Sequence, residues 1–104
     1  MNSLKIKQIA DKNGFNEASR QLFEECAELI VAVNKYHRKI NMPLLSPSDY
    51  LDLQHYILNI TEEIADVTIM LEQIKHLLTI SNEDVENVIK QKLNRQLERI
   101  EKNE

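Results

Sequence analysis

The 104-residue chain is long enough for one domain and too short for two well-packed cores. A net charge of -4 and the lack of a basic block argue against nucleic-acid binding, and no apolar run approaches the roughly 18 residues of a membrane span. The N-terminus lacks the apolar core of a signal peptide, and Cys26, as the single cysteine, has no intrachain partner for a disulfide. The sequence therefore predicts a cytoplasmic protein that binds neither nucleic acid nor a membrane.

The chain contains one Gly and two Pro, so few backbone breakers interrupt its helix-like periodicity. This pattern predicts an all-α fold, a four-helix-type bundle that occupies residues 1–104 as a single domain. The first helix is expected from about Leu4 to Lys12, with a stop at Gly14, and the second from the N-cap Asn16 to about Ile40. The third is expected from about Ser46–Ser48 to Thr79, and the fourth from Ser81 to about Lys102.

Two of these helices carry long apolar stripes that we expect to face inward. A chain this short cannot hide all of that surface in four helices, so the stripes predict association at least into a homodimer. The stripe of the third helix consists of Ile57, Ile60, Ile64, Val67, Leu71, Ile74 and Leu78, and that of the last helix of Val85, Val88, Ile89, Leu93, Leu97 and Ile100.

Carboxylates border the apolar positions of the second and third helices. Glu25 and Glu28 are separated by about 60° around a helix, and Glu63 and Asp66 repeat this spacing, with Glu24 as a further candidate. Unpaired carboxylates beside a core are costly, whereas two such pairs on facing helices can share a cation. Oxygen ligands suit Mg²⁺, with Mn²⁺ as a substitute. The alternative is that these acids form a solvated helix face, because Glu is a good helix former.

The stretch "EECAE" followed downstream by "EIAD" resembles the EExxE…ExxD signature of the MazG-like all-α nucleoside triphosphate pyrophosphohydrolases. The similarity extends over "QLFEECAELIVAV", "EEIADVTIMLEQI" and "KQKLNRQLERI", and so covers about residues 16–100. It implies Mg²⁺-dependent cleavage of a nucleoside or deoxynucleoside triphosphate between the α- and β-phosphates, and a dimer or dimer of dimers. The implied catalytic metal ligands are Glu25, Glu28, Glu63 and Asp66, and the implied phosphate-binding residues are Lys92 and Arg95.

The chain departs from the family pattern at three points. The segment 29–62 between the motifs is longer than in compact members, Gln21 replaces a common basic residue, and Arg95-Gln96 replaces an Arg-Arg pair. The last two differences affect the expected phosphate contacts. A second hypothesis is a non-catalytic helical interaction module that uses its acidic face to bind a basic partner.

Overall fold

The computed structural model describes residues 2–103, which are 89% helical and contain no strand. Helix α1 spans Ser3–Ile40, α2 spans Pro47–Leu77 and α3 spans Asn82–Asn103. The predicted all-α class is confirmed. No helix in this part of the chain has the length and apolar character needed to cross a membrane.

Helix α1 is kinked at Gly14. The backbone there has φ 79° and ψ 173°, a conformation that only glycine adopts easily, and helical geometry continues on both sides. The predicted stop is thus a break within one long element, and it lies two residues before the expected N-cap Asn16. The kink lets both segments of α1 follow the same partner helix, α2.

Helices α1 and α2 form an antiparallel hairpin that polar contacts close at both ends. At the loop end, Lys39 Nζ lies 2.7 Å from Asp49 Oδ1, while Asp49 Oδ2 accepts hydrogen bonds from the backbone N–H groups of Leu45 (2.8 Å) and Ser46 (3.1 Å). The Lys39 ammonium and these N–H groups lower the pKa of Asp49 to about 2. At the other end, His76 Nε2 lies 2.7 Å from Asp11 Oδ1.

The core of the hairpin is small. Three of its buried residues are alanines, which allow the two helices to approach closely. Gln73 is also buried, and its Oε1 has no hydrogen-bond partner. The buried apolar residues are Ile6, Ala10, Ala18, Ala32 and Met70.

The face of α2 that meets α1 differs from the predicted inward stripe. Tyr56, Glu63, Met70 and Leu77 are buried or half-buried, and each precedes by one residue a predicted core position that remains about half exposed. One residue corresponds to about 100° around a helix. The prediction was therefore wrong for these four positions, because the hairpin supplies one partner helix and α1 packs on the neighbouring face. The exposed positions are Ile57, Ile64, Leu71 and Leu78.

A hydrogen bond from Lys75 Nζ of α2 to Asn82 Oδ1 joins the first residue of helix α3 to the hairpin, and beyond this point α3 does not pack along α1 or α2 within residues 2–103. Its start is capped by Ser81 Oγ, which accepts a hydrogen bond from the backbone N–H of Asp84 at 3.0 Å. All of its residues are exposed except Val85, which is half-buried, so the rest of the predicted inward stripe is not covered by any other part of residues 2–103. The radius of gyration is 18.0 Å, against about 13 Å for a compact domain of this length. Within residues 2–103 the packing is that of a two-helix hairpin with a separate third helix.

Candidate functional site

Three carboxylates converge at the middle of the hairpin. Glu25 and Glu28 come from successive turns of α1, and Glu63 comes from the facing turn of α2. One carboxylate oxygen from each residue lies within 4.8 Å of the other two. Two oxygens bound to one cation at 2.0–2.6 Å lie at most about 4–5 Å apart, so the cluster has the dimensions of a single-ion site.

Two oxygens of this cluster are buried without a hydrogen-bond partner. Glu25 Oε2 and Glu63 Oε2 are shielded from solvent, although each residue as a whole is only half-buried. A buried carboxylate oxygen without a donor is destabilising, since the water that solvates it in the unfolded chain is not replaced. A proton or a bound cation would satisfy both atoms.

The electrostatics of the cluster favour the protonated forms of Glu25 and Glu63. Burial, followed by the negative charges of Glu28, Asp66 and Glu63, raises the pKa of Glu25 to about 7. Burial, followed by the charges of Glu28 and Asp66, also raises the pKa of Glu63. A divalent cation would reverse both effects, because it stabilises the ionised carboxylates that its ligation requires.

Asp66 is the fourth predicted ligand, and it lies outside the group of three. It is exposed on α2, one turn after Glu63, and it is close enough for its charge to raise the pKa of Glu25 and of Glu63. The structure therefore brings three of the predicted acids together and places the fourth in their electrostatic neighbourhood.

Glu24, the further candidate, is directed elsewhere. Arg20 Nη1 lies 2.7 Å from Glu24 Oε1, and the same guanidinium pairs with Glu17. Gln21, at the position where the family often has a basic residue, donates a hydrogen bond from Nε2 to Glu17 Oε1 at 2.9 Å. Glu24 is separated from Glu28 by only about 40° around α1, so its pairing with Arg20, and not a different helix face, keeps it out of the group of three.

A cleft of about 340 Å³ adjoins the carboxylates. Glu28 and Glu63 form part of its wall, and Lys35, Tyr56 and Asn59 supply a cation, an aromatic ring and an amide. None of these three residues was among the predicted site residues. Their spacing was an available signal: Lys35 follows Glu28 by seven residues and Tyr56 precedes Glu63 by seven, two helical turns in each case.

The predicted phosphate-binding residues are not brought to the cluster within the chain. Lys92 and Arg95 are exposed on α3, the helix without packing contacts to the hairpin. They carry the right charge for phosphate, but one chain leaves them apart from the carboxylates.

Comparison with known proteins adds no relative that would assign this geometry. No family model, no curated protein and no solved structure matches the chain. The MazG-like resemblance rests on the motif residues alone, so function is inferred from the site.

Proposed function

We propose that the protein is a Mg²⁺-dependent nucleotide pyrophosphohydrolase acting as a homodimer or homotetramer. It hydrolyses a nucleoside or deoxynucleoside triphosphate between the α- and β-phosphates, and releases a nucleoside monophosphate and pyrophosphate. The observation that carries this proposal is the convergence of Glu25, Glu28 and Glu63 within 4.8 Å, with unpartnered buried oxygens on Glu25 and Glu63.

The charge of the substrate explains why such a cluster needs a cation. A nucleoside triphosphate is a polyanion and is repelled by bare carboxylates, so the site has to change sign before the substrate binds. Mg²⁺, or Mn²⁺ in its place, would be held by Glu25, Glu28 and Glu63, with Asp66 beside them. When bound, it supplies Lewis-acid polarisation of the phosphoryl oxygens and a more acidic water.

The protein's own groups hold and orient the substrate in this proposal. The carboxylates position the hydrolytic water by accepting its hydrogen bonds, and Lys92 and Arg95 neutralise the departing pyrophosphate. Water adds to the attacked phosphorus, the bond to the bridging oxygen breaks, and a proton is released to solvent. No redox partner is needed.

The cleft beside the carboxylates offers a place for the nucleoside. The ring of Tyr56 can stack on a base, and the side chain of Asn59 can both donate and accept hydrogen bonds at a base edge. The ammonium of Lys35 lies in the same cleft and would contact a phosphate. We assign these three residues to substrate binding.

The competing function is a non-catalytic module whose acidic face binds a basic protein. Such a face would present its carboxylates to solvent, where lysine and arginine side chains reach them. The shielded oxygens of Glu25 and Glu63 favour a small ion over a side chain of another protein.

Pyrophosphate release from a panel of ribo- and deoxyribonucleoside triphosphates, with and without Mg²⁺, tests the proposal. Asp66→Asn is expected to abolish turnover and to leave the apo fold equally or more stable, because it removes one charge from a group of mutually repelling acids. Thermal melts should show a smaller Mg²⁺-induced rise in Tm for the variant than for the wild type.

Asp84→Asn, an equivalent change on the exposed first turn of α3, is the matched control and should retain turnover. If millimolar Mg²⁺ leaves the wild-type Tm unchanged and the wild type hydrolyses no triphosphate, the metal-dependent hydrolase is excluded and the acidic binding module takes its place. If Asp66→Asn hydrolyses triphosphates as fast as the wild type, the proposed role of Asp66 is wrong.

A further inference from the structure

Helix α2 carries an apolar ridge that no other part of the described chain covers. We use "α2 ridge" for its four half-exposed residues, which are spaced seven apart on one face. A heptad-spaced apolar row is the pattern by which one helix packs along another. The α2 ridge consists of Ile57, Ile64 and Leu71 on α2 and of Leu78, the C-cap residue directly after it.

Helix α3 carries a second apolar surface without a partner, here called the α3 stripe. It runs for about 23 Å, and the α2 ridge runs for about 32 Å, so the stripe fits within the length of the ridge. All its residues beyond the first helical turn are at least 40% exposed. The α3 stripe consists of Val85, Ile89, Leu93, Leu97 and Ile100.

The exposed area of the chain is too large for a stable monomer. The accessible surface is 8202 Å², whereas a compact monomer of 12.2 kDa exposes about 6,100 Å². The excess of about 2,000 Å² is well above the roughly 800 Å² that each partner buries in a standard stable interface. A second copy of this chain brings matching apolar surfaces in the required amount.

The charges on the two apolar helix faces are arranged so that association of two copies would bring cations of one chain towards the carboxylates of the other. Lys92, Arg95 and Arg99 follow one another at three- and four-residue intervals along one edge of the α3 stripe. Between residues 87 and 97, α3 has three cations and no acid. Among the described residues no cation forms a salt bridge with the carboxylate cluster, which lies on the hairpin, and Glu63 of the cluster directly precedes Ile64 of the ridge.

We infer that the α3 stripe of one copy packs on the α2 ridge of a second copy, so that each site combines the carboxylates of one chain with the cations of the other. The interface is reciprocal, because each copy offers one stripe and one ridge. The proposed contact between the α3 stripe and the α2 ridge is supported by their exposed apolar area and does not depend on the proposed function. The sharing of the site rests on the proposed function, and a test of the interface needs no activity.

Charge-swap pairing of two variants tests the interface. Ile64→Glu lies in the middle of the α2 ridge and Leu93→Lys in the middle of the α3 stripe, so each variant alone should be monomeric by light scattering at micromolar concentration. Mixed together, they should form a heterodimer, because one contact gains a Glu–Lys pair and the other is the unchanged apolar contact. Helical content measured by circular dichroism checks that both variants fold.

Leu58→Glu is the matched control on the same helix, since Leu58 is 62% exposed and lies outside the ridge. It should remain a dimer. A monomeric wild type, a dimeric Ile64→Glu variant, or a heterodimer formed by Ile64→Glu with Ile64→Lys would each overturn the inference. The last result would show that ridge packs on ridge.

Failure of the proposed hydrolase gives a different result. If the charge-swapped variants pair as expected and no triphosphate is hydrolysed, the interface stands and the shared catalytic site does not. If hydrolysis is observed and the wild type is monomeric, the proposed reaction stands, and the proposed oligomer and its interface do not.

Discussion

At the scale of single residues, Glu25 shows most clearly what the fold does to a side chain. Its carboxylate is placed beside two other glutamates and shielded from water, and its pKa rises to about 7. Glu24, its neighbour in the chain, is exposed to solvent and pairs with Arg20. The difference in surroundings comes from about 100° of helix rotation.

The raised pKa of Glu25 predicts a pH-dependent stability of the metal-free protein. The ordinary pKa of the group is 4.5 and its folded pKa is about 7, so the folded protein holds a proton that the unfolded chain has released. The stabilisation is complete below pH 4.5 and is lost as the pH rises through 7. With a chelator present, Tm should therefore be lower at about pH 7.5 than at about pH 5.5.

Glu25→Gln should flatten this dependence and raise Tm at the higher pH, since the amide carries no charge to bury. Glu24→Gln is the control, because Glu24 is solvent-exposed and lies outside the cluster. Mg²⁺ should raise the wild-type Tm most at the higher pH, where the carboxylates are ionised. Identical pH profiles for the wild type and Glu25→Gln would contradict the assigned environment of Glu25.

At the scale of the elements, local sequence signals predicted most helix ends to within two residues but wrongly predicted that a helix ends at Gly14. Helix α2 begins at the expected Pro47 and ends at Leu77, two residues before the predicted Thr79. Gly14 was expected to end a helix, but α1 continues beyond it with a kink. The difference arises because residues on both sides of Gly14, such as Ala10 and Ala18, are buried in the hairpin core.

The kink predicts a specific sensitivity at Gly14. Gly14→Ala should lower the free energy of unfolding by about 1–3 kcal/mol, the cost of holding a residue with a Cβ atom in this backbone region. Space is not the obstacle, since a Cβ atom there would meet no atom within 4 Å. Urea denaturation followed by circular dichroism measures the change. Asn13→Ala, at an exposed helical position beside it, should be neutral or stabilising.

At the scale of the whole molecule, the hairpin and the separate α3 explain why one chain leaves the candidate site without its cations. The carboxylates lie in the hairpin, and Lys92 and Arg95 lie on α3, which does not pack against it. If two copies exchange their α3 helices, each site draws on both chains. This arrangement makes complementation between two inactive variants possible.

Mixing Glu63→Gln with Lys92→Ala should therefore restore activity. Each homodimer lacks one part of every site, whereas each heterodimer contains one site with both parts intact. Random exchange at equal concentrations makes half of the dimers mixed, and one of the two sites in each mixed dimer is intact. The activity should therefore be about a quarter of that of the same amount of wild-type protein. The assay is pyrophosphate release after the chains have been unfolded and refolded together. No recovery above the sum of the separate variants would show that Lys92 acts within its own chain or not at all.

The sequence by itself determined the all-α class, most helix boundaries and the i,i+3 spacing of the acids, because these depend on local backbone preferences and on the helix period. Only the tertiary structure decided which face of each helix meets a partner. In the tertiary structure Glu63 lies at the contact between α2 and α1, and Ile64, one residue later, is exposed. Asp66 lies outside the group of three carboxylates. Periodicity shows that a face is apolar and does not show what covers it. Which faces of α2 and α3 are buried depends on surfaces that are distant in the sequence. For the apolar faces that remain exposed, we propose that a second copy of the chain covers them.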